Sequence, residues 1–124
     1  MGYKKTNGEW ADVEDIVVVP STTFTADANG EAIEVGDRTV ACLELDVTAL
    51  TASDSVDVKI QTSKDGSGTG LGAWRDVAAF AQKTTIGAER KSFAGLDRYI
   101  RAVVDVTDAG GGVSTTLSVK GELK

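Results

Sequence analysis

The strongest constraint in this chain is a strict alternation of apolar and polar residues that recurs from residue 38 onward. In a β-strand successive side chains point to opposite faces, so residues two apart share a surface. Ala41, Leu43, Leu45 and Val47 therefore line one face, while Cys42, Glu44 and Asp46 line the other. Val56, Val58 and Ile60 alternate in the same way with Asp57, Lys59 and Gln61, and Ile100, Ala102, Val104 and Val106 alternate with Tyr99, Arg101, Val103 and Asp105. Each strand has one wet face. That pattern belongs to antiparallel sheets with one side on a core, not to the doubly covered parallel strands of α/β folds.

The rest of the chain extends the pattern. Ile16 to Val19 reads as a strand ended by Pro20, followed by Thr22 to Thr25, a hairpin turn at Asp27-Ala-Asn-Gly30 and a strand over Ala32 to Val35. Ser63 to Gly72 holds four glycines in ten residues and reads as a mobile, exposed loop. Trp74 to Ala81 is expected to be a strand. Short segments at Lys83 to Ile86 and Arg90 to Phe93 are split at Gly87, and Gly95-Leu96-Asp97 forms a further turn. Thr107 to Gly112 then turns the chain from the strand ending at Val106 into Ser114 to Leu123 as a final hairpin, with Leu117, Val119 and Leu123 on the core. Fourteen glycines against one proline, with seven aromatics, suit many short strands joined by tight turns. The expected fold is all-β, an antiparallel sandwich or jelly roll of eight or nine short strands. Residues 13–124 form one domain and residues 1–12 an N-terminal arm with little strand pattern. A chain of 124 residues buries about two thirds of its unfolded surface, enough for one core.

Charge and residue types narrow the chemistry. A net charge of −6 opposes approach to nucleic-acid phosphates or anionic lipid, and no apolar run reaches membrane-spanning length. Met1 to Thr6 fits the bare myristoylation pattern, which is too common to carry weight. The absence of histidine removes the usual general base and the commonest transition-metal ligand, and the lone Cys42 has no partner for a disulfide or a thiolate-activating pair. Carboxylates off the turns fall on the solvent side of alternating strands, so a non-enzymatic protein without cofactor or metal is expected. Asp27 to Glu31 resembles the middle of a calcium loop, but the loop would begin at Thr25 and end at Gly36, where a bidentate glutamate is required. The glycines from Gly66 to Gly72 lack the Lys-Ser or Lys-Thr ending and the helix that a phosphate-binding loop needs. Aromatic faces stack on sugar rings, which makes Tyr3, Trp10, Tyr99 and above all Trp74 the residues a carbohydrate-binding module would use, against the alternative of a ring that anchors a loop. Arg98 and Arg101 are expected to pair with carboxylates on the surface.

Five stretches, Leu43 to Leu50, Val56 to Gly66, Trp74 to Val77, Arg98 to Val103 and Leu117 to Leu123, together resemble small β-sandwich proteins encoded among the structural genes of tailed bacteriophages. In that family a strand ending in Gln-x-Ser-x-Asp-Gly, here Gln61 to Gly66, leads quickly to a tryptophan, here Trp74. A Tyr-Ile-Arg triplet or similar, here Tyr99 to Arg101, opens the final hairpin. The likeness covers residues 43 to 123, and the inserted residues Ser67 to Ala73 depart from it by lengthening the loop. The resemblance implies a virion component, foremost a capsid decoration or cement protein that is made in the host cytoplasm and binds the major capsid protein on the outer head surface. A carbohydrate-binding module and a tail or baseplate adaptor are the alternatives. Symmetric display at three-fold sites would suit a homotrimer, and Tyr3, Lys4, Lys5 and Trp10 of the arm are the candidate partner-binding residues, with Trp74 the candidate glycan-binding one.

Overall fold

A computed structural model describes residues 13–124 of the protein. The arm at residues 1–12, with Tyr3, Lys4, Lys5 and Trp10, lies outside the described residues. Among the described residues nine strands follow one another: β1 (Glu14–Phe24), β2 (Ala28–Asn29), β3 (Ile33–Glu34), β4 (Val40–Leu50), β5 (Ser55–Ser63), β6 (Arg75–Ala79), β7 (Gly87–Ala94), β8 (Tyr99–Thr107) and β9 (Thr115–Leu123). One sheet has the order β1-β9-β4-β7, and the other runs β2-β8-β5-β6 with β3 also on β8. Every pairing is antiparallel. With β2 and β3 taken as one interrupted strand, this is the strand order of a jelly roll; the alternation predicts an antiparallel sandwich or jelly roll but not the order of its strands.

The core is the set of inward positions named by the period of two. Leu43, Leu45 and Val47 of β4 and Leu117 and Val119 of β9 oppose Val56, Val58 and Ile60 of β5 and Ile100, Ala102 and Val104 of β8, all of them fully buried. Each Val, Leu or Ile taken out of water contributes about 1.5–3 kcal/mol before chain entropy is set against it. Two inward positions are threonines, and both hydroxyls are bonded. Thr62 Oγ1 donates to Tyr99 O at 2.8 Å and accepts from Asp97 N at 2.8 Å, while Thr115 Oγ1 donates to Ala49 O at 3.0 Å. Satisfied in this way, a buried hydroxyl avoids the penalty of a lost water contact.

Three expectations are corrected. The chain does not end a strand at Pro20, because β1 continues through it to Phe24 with register shifts between Val17 and Val19 and between Val19 and Thr22. β1 is an edge strand, so the missing N–H of proline removes no ladder bond. Asp27 to Gly30 is not a hairpin turn: Ala28 and Asn29 pair with Val104 and Val103, and Gly30 N donates to Ala102 O at 2.7 Å. The exposed flank of β8 takes this segment as its neighbour, and a Cβ at position 30 would sit only 3.0 Å from the Ala102 carbonyl oxygen. Nor do β8 and β9 form a hairpin, since they lie in opposite sheets. Alternation shows that each strand has one apolar face but not which sheet owns it, and residues 108–114 are long enough to arch across the ~10 Å between sheets.

That arch is built from its own polar groups. Gly110, Gly111 and Gly112 hold φ of 124°, 88° and 94°, and the Asp108 carboxylate accepts from Gly110 N at 2.7 Å and Gly112 N at 3.1 Å. Asp54, only 2% exposed, accepts from Ala109 N at 2.9 Å and ties the arch to the β4–β5 connection.

Gly121 is the tightest point of the first sheet. It pairs with Leu43 of β4 and Ile16 of β1, and a Cβ there would collide with the Cys42 carbonyl oxygen and lie 2.9 Å from Leu43 Cα. Backbone cannot give way as a side-chain tip can. Gly121→Ala is expected to lower stability by about 1–3 kcal/mol, read as a drop in the urea midpoint, while Lys120→Ala on the exposed side of the same strand stays within about 0.5 kcal/mol of the parent.

Candidate functional site

The most elaborate surface is where β5 hands over to β6 on the outer face of the second sheet. Ser63, 1% exposed, closes the connection from within, since its Oγ donates to Gly72 O at 2.5 Å and accepts from Gly66 N at 2.9 Å. Gly68 N donates to Gly72 O at 3.1 Å, Gly72 N donates to Thr69 O at 2.9 Å, and Gly70–Gly72 form a single 3-10 turn. Asp65 Oδ1 accepts from Ser67 N at 2.8 Å, and the amide and hydroxyl of Ser67 hold the Asp65 carboxyl below the usual carboxylate range. The loop expected to be a mobile tip is thus bonded to itself at five points or more.

Its glycines answer to two aromatic rings. Gly66 and Gly68 adopt φ of 76° and 79°, in the left-handed region that favours glycine. A Cβ on Gly66 would be 3.3 Å from the Tyr99 ring, and one on Gly68 3.2 Å from Cδ1 and Nε1 of Trp74. The backbone lies on both rings. Leu71, between Gly70 and Gly72, is left 88% exposed at the apex.

Beside the loop, strand register assembles a polar ladder. Gln61 of β5 sits opposite Arg101 of β8 on one side and Asp76 of β6 on the other, so the three side chains share the outer face. Arg101 Nε donates to Gln61 Oε1 at 2.9 Å, Gln61 Nε2 donates to Asp76 Oδ1 at 2.9 Å, and Lys59 Nζ donates to Asp76 Oδ2 at 3.3 Å. Gln61 first and Lys59 second hold the Asp76 carboxyl below its usual range. The Arg101 guanidinium lies 4.5 Å from the centroid of the Trp74 ring, a cation–π contact of about 0.5–1 kcal/mol at an exposed site.

Trp74 and Tyr99 are both half-buried. One face of Trp74 carries the Arg101 guanidinium and the Nε1 edge faces Gly68, so the ring anchors the loop. Arg98 meets the expected carboxylate, Glu34, at 2.6 Å, whereas Arg101 pairs with an amide and an aromatic face because register gives it Gln61 as neighbour. Sequence reasoning did not single out Leu71, Gln61 or Asp76. Leu71 could have been found as an aliphatic residue isolated between glycines, but the Gln61–Asp76 bond depends on strand register and was not legible. Elsewhere, an open depression of about 380 Å³ lies on the outer face of the first sheet around Cys42 and Gly121, and another of about 380 Å³ lies between β1 and β3.

The pH response follows from these carboxylates. Asp65, Asp76 and Glu89, the last held down by the Lys83 ammonium, all titrate lower in the folded chain than their usual values. Their contribution is present above the unfolded carboxylate range of about 4 and is lost as pH falls through the lower folded midpoints. The urea midpoint should therefore be lower at pH 3 than at pH 7, and Gln61→Leu should raise the Asp76 midpoint followed by carboxyl NMR. In comparisons with known proteins, no family model, no curated protein and no solved structure matched the chain.

Proposed function

We propose that this chain is a non-enzymatic structural protein of a tailed-phage virion, a decoration or cement protein that docks on the major capsid protein at the outer head surface. The observation that carries the reading is Leu71, an aliphatic side chain 88% exposed at the apex of a hydrogen-bonded loop. Among the described residues Leu71 is the most exposed of the large apolar side chains, ahead of Ile86 and Val17, and seating it in a recess of a partner removes apolar surface from water. A loop ordered in advance also loses less conformational freedom on docking.

Other features support the same reading. The jelly roll is a compact frame that can be displayed in many copies, and the charge of −6 limits adhesion to packaged DNA and to neighbouring copies except at a fitted contact. Display at three-fold positions makes a homotrimer the expected assembly.

Leu71→Asp is expected to weaken saturable attachment to emptied phage heads by more than tenfold in a sedimentation assay, while the melting temperature stays unchanged because the side chain touches little of its own fold. Attachment as tight as the parent's would overturn the reading. Deleting residues 1–12 measures the share of the arm in the same assay, and a loss of attachment is expected there as well.

A further inference from the structure

We infer that Arg101, stacked on Trp74 and tied to Gln61, is a receptor for an aspartate or glutamate carboxylate on the partner protein, with Leu71 carried on the loop that rests on the same Trp74 ring, so that one contact reads charge and shape together. This rests on the docking reading above and names the chemistry of the surface that is docked.

A guanidinium carries five N–H donors in a rigid fork. Arg101 uses Nε for Gln61, and its four terminal N–H groups have no partner among the described residues. The neighbouring cations are spent: Lys59 on Asp76, Arg75 on Asp97 at 3.3 Å and Arg98 on Glu34. Among the described residues Arg101 has no carboxylate partner.

Its orientation is nevertheless fixed from two directions. The Trp74 ring holds the plane of the guanidinium, and Gln61, itself held by Asp76 and Lys59, holds the Nε edge. Bidentate bonding to a carboxylate needs the terminal pair of donors to face outward together, and an arginine already held in place loses less freedom in forming it. A lysine would offer a point charge with no plane to hold.

The occupant is a protein rather than a sugar for two reasons. A sugar ring would have to compete for the Trp74 face that Arg101 covers, and a sugar makes no use of Leu71, which stands three residues before Trp74 on a loop that rests on the same ring. Trp, Tyr and Arg packed at one place are the residue types that dominate binding energy at protein interfaces.

The test titrates the ¹⁵N-labelled full chain with the peptide acetyl-Leu-Glu-Leu-amide and with its Gln counterpart. The Glu peptide is expected to shift the Arg101 Nε–H and Trp74 indole resonances saturably and to bind at least fivefold tighter than the Gln peptide. Arg101→Lys should abolish that preference while the chain stays folded, with amide resonances away from β5, β6 and β8 dispersed as in the parent. Equal binding of the two peptides, a preference that survives in Arg101→Lys, or saturation by sialyllactose in place of the peptide would each overturn the inference. Emptied heads separate the two proposals: parent and Arg101→Lys chains attaching equally well would sink the carboxylate receptor and spare the docking reading. Failure of the parent to attach would sink the docking reading and leave the peptide result to judge Arg101 alone.

Discussion

Everything in this molecule depends on two sheets that are each apolar on one side and must cover each other. Neither sheet can fold alone, because Leu43, Leu45 and Leu117 on one side and Ile60, Ile100 and Val104 on the other find their only dry surroundings in the opposing layer. Once the layers are pressed together, strands consecutive in sequence fall into opposite sheets, as β4 and β5, β7 and β8, and β8 and β9 do. Long-range pairing therefore dominates, and the connections must carry the chain across the ends of the sandwich. The Asp108 carboxylate on Gly110 and Gly112, and Asp54 on Ala109, are the local answer to that demand. Asp54 gives up water for it, and its Oδ2 is buried with no hydrogen-bond partner among the described residues. A single anchored amide at the arch is retained against a penalty of about 1–3 kcal/mol for the idle oxygen.

How far the residues could be read without coordinates follows from the range of each force. The period of two is local, and it identified the apolar inward positions of β4, β5 and β8 and Leu117, Val119 and Leu123 of β9, while the buried Thr62 and Thr115 escaped it because a hydroxyl does not read as core. Sheet membership is not local. A glycine-rich segment between two alternating runs reads equally well as a tight hairpin or as an arch, and Thr107 to Gly112 was expected to be the former. Asn29 and Gly30 failed differently, because a strong turn dipeptide was overruled by an unpaired flank of β8 that it could cover. Pro20 ended a strand on paper and not in the fold, since a proline at an edge lacks nothing that the sheet requires there.

At the candidate site the division is the same. That Trp74 would anchor a loop was open to reading from the residues, and so was the pairing of Arg98 with a carboxylate. The ladder from Lys59 through Asp76 and Gln61 to Arg101 was not, because it joins three strands and depends on the register of two pairings, one of which shifts between Ile60 and Gln61. A one-residue slip in either would turn one of these side chains into the core. The glycines of the loop were visible as composition, but their reason was not: Gly66 and Gly68 are small because Tyr99 and Trp74 lie directly beneath them.

The loop and the ladder are coupled through Trp74, and that coupling decides what the surface can do. The ring supports the loop at Gly68 on its Nε1 edge and the guanidinium on its face, so Leu71 and Arg101 are positioned by one side chain that belongs to neither. Two recognition groups on independent supports would each have to be ordered on contact, at about 0.5–1.5 kcal/mol for each immobilised side chain. Held on a common ring and backed by Gln61 and Ser63, they meet a partner with most of that ordering already done on folding. Loss of Trp74 would therefore disturb the apolar and the charged halves of the surface together, although the ring itself need make no contact with the partner.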